Sequence, residues 1–117
     1  MSDYQKLEAW QKAMKLAEEV YNSTRTFPAE EIYGLTSQIR RAAISIPSNI
    51  AEGASRAGTK EFLQFLHVAR GSASELETQL LLAEKLGYLS AADDRMASLA
   101  SVKRLINGLI RALKEAT

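Results

Sequence analysis

The chain contains no cysteine, which excludes disulfides and thiolate metal sites. Histidine is nearly absent too, with His67 alone. A Ser-His-Asp arrangement would have to be built on that residue, and nothing near it in sequence supplies the partners. The carboxylate dimetal centre of helical bundles calls for two Glu-x-x-His pairs on different helices. Here Gln64 stands three residues before His67 and there is no second histidine, so that centre is excluded. No Walker motif occurs, and "GSAS" (Gly71 to Ser74) is not a phosphate loop. Long apolar runs are missing: Leu80 to Ala83 is among the longest, far below the roughly 18 residues of a membrane span. No basic start followed by an apolar run suggests a signal peptide. The expectation is a soluble, cytoplasmic protein without cofactor, metal, membrane partner or catalytic role.

Proline and glycine are sparse, two and six, and they punctuate the chain rather than fill it. No stretch of Val, Ile and Thr alternates with period two, so no strand is expected. At 117 residues one domain, 1–117, is the natural reading, and 46% hydrophobic with 25% charged residues is a globular balance. The net charge is +1, which leaves room for a local basic patch but not for a dominant polyanion-binding role.

What the chain does have is helical periodicity. Leu7, Trp10, Met14, Ala17 and Tyr21 recur at spacings of three and four, predicting a helix from about Tyr4 to Thr26 with that stripe inward. Ala13, Val20 and Thr24 flank the stripe. A second helix is expected from about Ala29, with Ile32, Leu35, Ile39, Ala42, Ile46, Ile50 and Gly53 on one face. Pro47 lies in its middle. The apolar phase holds across it, so the spacing predicts one bent helix over 37–57 rather than two. The third helix runs from Thr59 to about Leu86, with Phe62, Leu66, Ala69, Ala73, Leu76, Leu80 and Ala83 inward and Gly87 at its C-terminus. "SAAD", Ser90 to Asp93, resembles a capping box for a fourth helix. There Leu99, Val102, Ile106, Leu109, Ile110 and Leu113 face inward. Four long helices joined by short connections predict an all-α, antiparallel up-down four-helix bundle.

Two sets of residues are left over. A polar stripe, Gln38, Arg41, Ser45, Asn49, Glu52 and Arg56, runs along the second helix. Glu52 could serve as a general acid or base, but beside Arg41 and Arg56 it reads as an ion-pair partner. On the fourth helix Lys103, Arg104, Asn107, Arg111 and Lys114 share an outer face, and 87–117 carries five Lys/Arg against three Asp/Glu. Phosphate contact through Arg40, Arg41, Arg56, Lys103, Arg104, Arg111 and Lys114 is one reading of these charges. A solvated outer face with late cations complementing the helix dipole is the other. The second set is apolar: Ile44, Pro47, Phe65, Val68 and Leu86 fall outside the inward stripes of the second and third helices. They are the candidate contact with further copies of the chain.

The stretches "WQKAMKLAEEVY", "YGLTSQIRRAAISIPSNIAEG" and "GSASELETQLLLAEKLGYL" resemble the bacterial family called four-helix bundle proteins, also known as the 23S rRNA intervening-sequence protein family. The proline inside a helix followed by "NIAEG" is the most specific part. The resemblance spans nearly the whole chain and implies an antiparallel bundle that assembles into a ring-shaped homopentamer. It also implies a distant likeness to the accessory protein of diversity-generating retroelements, which pairs with a reverse transcriptase and binds nucleic acid. It supplies no activity. The expectation is a non-enzymatic oligomeric scaffold or interaction protein, associated with RNA, DNA or a nucleic-acid-associated protein. The alternative is direct nucleic-acid binding through basic faces of the oligomer.

Overall fold

The computed structural model describes residues 3–90 and 94–116. Four helices carry the chain: α1 (Glu8–Thr24), α2 (Leu35–Ala54), α3 (Thr59–Lys85) and α4 (Arg95–Glu115). Short 3₁₀ turns at Tyr4–Lys6 and Ala29–Glu31 precede α1 and α2. Each helix packs on its neighbours in chain order and α4 closes against α1, while the diagonal pairs do not meet. The contacts run antiparallel. Thr24 late in α1 meets Arg40 early in α2, Gly53 late in α2 meets Phe62 early in α3, and Glu77 late in α3 meets Lys103 in α4. The bundle measures 46 × 23 × 20 Å. No strand occurs among the described residues.

α2 runs through Pro47 without interruption. The proline lacks an N–H for the carbonyl four residues back. Tertiary packing overrides that local cost, because Ala43, Ile46, Pro47 and Ile50 are all buried between α1 and α3. The Asn49 side-chain amide donates to the Ser45 carbonyl (2.7 Å) and hydroxyl (2.9 Å), adding bonds on the turn that contains the proline.

The helix limits differ from expectation at three places. Tyr4 to Lys6 form a separate turn, since Leu7 is extended (φ −73°, ψ 126°). α2 begins at Leu35, not near Ala29: Gly34 takes a non-helical conformation and leaves Ile32 exposed. α2 also stops at Ala54, three residues before the expected end. At the start of α2, the Glu31 carboxylate accepts the Leu35 N–H at 3.1 Å and so supplies a missing cap. α3 closes in a Schellman motif. Tyr88 N–H bonds the Ala83 carbonyl, Gly87 N–H bonds the Glu84 carbonyl, and Gly87 has φ +81°, where a side chain would be strained. The expected capping box at 90–93 falls mostly outside the described residues.

The inward stripes of α2, α3 and α4 are where the periodicity puts them. Leu35, Ile39, Ala42, Ile46 and Ile50 meet Leu66, Ala69, Ala73, Leu76 and Leu80, and Leu99, Val102, Ile106 and Ile110. α1 is rotated. It buries Ala9, Ala13, Leu16, Ala17, Val20 and Thr24, while Met14 (45% exposed) and Tyr21 (38%) turn outward. Both stripes have helical spacing. Small residues let α1 approach α2 closely, and the larger side chains then lie at the rim.

Candidate interaction surfaces

The basic residues lie at separate places on the bundle. Arg40 is tied into the α1–α2 contact: its Nε donates to Thr24 Oγ1 at 2.8 Å and an Nη to the Tyr21 carbonyl at 3.4 Å. Its guanidinium also lies 4.6 Å from the centre of the Tyr21 ring. Arg41 faces the other side of α2, in a polar groove lined with Gln38, Ser45 and Glu75. Ser45 and Ser72 share a hydrogen bond of 2.8 Å across that groove, so the small "GSAS" segment is where α2 lies close on α3. Arg56 stacks 5.2 Å from the Phe65 ring centre and lies 3.7 Å from Glu52, the expected ion pair. On α4, Lys103 pairs with Glu77 at 3.0 Å and is only partly exposed. Arg104, Arg111 and Lys114 are exposed on the same helix. The fold therefore brings Arg104, Arg111 and Lys114 onto one face of α4, while Arg40, Arg41 and Arg56 lie at three separate places along α2 and its C-terminal turn.

The apolar candidates also divide. Ile44 is 42% exposed, Val68 51% and Leu86 50%, whereas Phe65 is half-buried. Pro47 is buried, because α1 covers that face of α2. It lies at the base of a groove of about 430 Å³ between α1 and α2, lined by Trp10, Met14, Tyr21, Ile44 and Ala51. Tyr4 stands edge-on to Trp10, ring centres 5.4 Å apart, at one end of the groove. Ile44 is thus joined to α1, not to the α3 residues with which the spacing grouped it. Phe65 and Val68 line a separate shallow depression on α3 with Gln64 and His67. Leu81 and Leu82 add exposed surface further along that helix.

The periodicity assigned Trp10, Met14 and Tyr21 to the core; Trp10 does pack partly against it, while Met14 and Tyr21 are exposed. The signal that they line a surface was present in the flanking stripe, since α1 carries two apolar arcs and only one can face inward.

Titratable groups offer little chemistry. His67 Nδ1 lies 3.0 Å from Arg70 Nη2, and Arg70 also donates to Asn107 Oδ1 at 3.2 Å, linking α3 to α4. Among the described residues no group of three or more His, Cys, Asp or Glu could hold a metal ion. No helix is long and apolar enough to cross a membrane among the described residues. One pKa is moved. Tyr88 donates to Glu31 Oε2 at 3.0 Å, and that bond raises its phenol above the ordinary value, with burial and the charges of Glu31 and Glu30 adding to it.

The model of a family described as "23S rRNA-intervening sequence protein" matches residues 5–108. A crystal structure from Bacteroides thetaiotaomicron, a protein of unknown function from the S23 ribosomal protein family, has the same fold. It superposes with a TM-score of 0.63 at 20% identity, covering 92% of this chain and 96% of that one. No curated protein matches the sequence.

Proposed function

The chain belongs to the 23S rRNA-intervening sequence protein family, and from that premise we propose that it is a non-enzymatic, ring-forming helical scaffold associated with RNA or a ribonucleoprotein. The observation that carries the reading is the apolar, solvent-exposed groove between α1 and α2. Trp10, Met14, Tyr21 and Ile44 line it, and Met14, Tyr21 and Ile44 stay substantially exposed. Each large apolar side chain left in water forgoes about 1.5–3 kcal/mol of burial. The exposed apolar residues of α3, Val68 and Leu82, lie on a different face. Two unlike apolar faces on one chain suit a head-to-tail contact, and such contacts close into a ring where the rotation between subunits allows. Five subunits is the number that the family resemblance implies. The RNA association rests on the family's name, and the cytoplasm is the compartment that fits such a partner.

Light scattering on the purified protein tests the assembly. The expected mass is that of a homopentamer, and Ile44→Asp is expected to lower it while helix content stays. A monomer at micromolar concentration, or a stable dimer, would sink the reading. Nuclease treatment before purification tests the association, since an RNA partner is then lost.

The exposed cations of α4 favour a second reading, direct binding of RNA or DNA. Replacing Lys103, Arg104, Arg111 and Lys114 by Gln is then expected to weaken binding and flatten its salt dependence. Unchanged affinity and slope return these side chains to solvation and to the helix dipole.

A further inference from the structure

A second cleft, of about 340 Å³, lies at the corner where α1 gives way to α2. Phe27, Pro28 and Ile32 form its apolar wall, and Arg25, Thr36 and Arg40 its polar side. Thr36 is the unusual member. It is 2% exposed, and its hydroxyl oxygen is buried without a hydrogen-bond partner. Other helical threonines here behave differently: Thr24 donates to the Val20 carbonyl at 2.9 Å and Thr78 to the Ser74 carbonyl at 3.0 Å. A buried hydroxyl that makes no bond is destabilising, so its place against a cleft calls for a partner. A helical threonine has two accessible χ1 settings, which lets that hydroxyl turn toward the cleft.

The surroundings define the partner's chemistry. Arg40 is held in place by Thr24 and the Tyr21 carbonyl, and a guanidinium has further N–H donors to offer. Arg25 adds a second guanidinium at the exposed side. Glu31 does not line the cleft; its two oxygens are taken by the Leu35 N–H and the Tyr88 hydroxyl. Both guanidinium residues and Thr36 thus line the cleft beside its apolar wall.

We propose that this corner binds a small organic anion: a carboxylate or phosphate group on a short apolar body. The guanidinium fork matches an oxyanion, Thr36 supplies a neutral donor, and Phe27, Pro28 and Ile32 take the body. The volume lies near the lower end of small-molecule sites, about 300–1,000 Å³. The site is independent of the assembly reading.

Amide and guanidinium NMR on the full chain tests it, with benzoate, phenyl phosphate and inorganic phosphate as probes. At about 10 mM, above the millimolar Kd of a fragment-sized ligand, at least one organic probe is expected to shift the Thr36 and Arg40 resonances. The preferred organic probe identifies the oxyanion. Inorganic phosphate, lacking the body, is expected to bind about tenfold more weakly. Arg25→Gln is expected to weaken binding severalfold and reduce its salt dependence. Thr36→Val is expected to weaken it about tenfold while raising the melting temperature, since an unpartnered hydroxyl is removed. The proposal is overturned by unmoved corner resonances with both organic probes, by inorganic phosphate binding as tightly as they do, or by Thr36→Val leaving affinity unchanged.

Discussion

Gly53 governs how closely α2 and α3 can lie. A Cβ added there would come within 2.7 Å of Phe65 Cβ and 3.0 Å of a Phe62 ring carbon. Alanine in a helix ordinarily gains about 1 kcal/mol over glycine. Here overpacking opposes that gain, at about 1–3 kcal/mol, because the nearest atom is a β-carbon fixed to the backbone. Gly53→Ala is therefore expected to destabilise the protein in urea unfolding, while Gly71→Ala, with open space around its Cα, should not. Tyr88 makes a second residue-scale case. Its folded pKa lies above the unfolded value of about 10, so the stability it contributes is present below pH 10 and lost as pH rises through the folded pKa. Titration of Tyr88 by ultraviolet absorbance should show it ionising above the ordinary phenol value, and Glu31→Ala should lower its pKa.

At the scale of the element, the inward stripes of α2, α3 and α4 were legible because on each helix one apolar arc keeps its phase along most of the length. α4 shows this best: Leu99, Val102, Ile106 and Ile110 are buried, as their spacing requires. The continuity of α2 through Pro47 was legible for the same reason, since two separate helices need not keep phase. α1 was misread because it has two arcs at helical spacing. Bulk hydrophobicity favours the one with Trp10 and Met14, whereas close approach favours the one with Ala9 and Ala13. Periodicity measures the first property and not the second. The start of α2 was misread because Ile32 continues the pattern in sequence while Gly34 breaks the backbone. That Ile44 lies outside the inward stripe was legible; that it lines a groove with α1 was not, because this depends on how α1 is rotated. A paired substitution separates the two arcs. Met14→Lys is expected to leave the helix content unchanged, since Met14 lies at the rim of its own bundle. Ala13→Lys, at a position with no exposure, should abolish cooperative thermal unfolding.

For the whole molecule, the distribution of ties between helices is uneven. At one end the α1–α2 and α3–α4 connections are held together: Glu31 bonds both Leu35 N–H and Tyr88, the Phe27 and Tyr88 rings lie 5.3 Å apart, and Arg95 donates to Ser23 at 2.6 Å. At the other end the α2–α3 turn, residues 55–58, is exposed, with Gly58 in open space. The bundle thus behaves like a clothes-peg, sprung shut at one end and free to part at the other. Opening should begin at that free end and stop before the clasp. In native-state hydrogen exchange, the last turn of α2 and the first of α3 are expected to exchange through local opening. Amides near Ala83 and Leu35 should wait for global unfolding, and Glu31→Ala should erase the difference by releasing the spring.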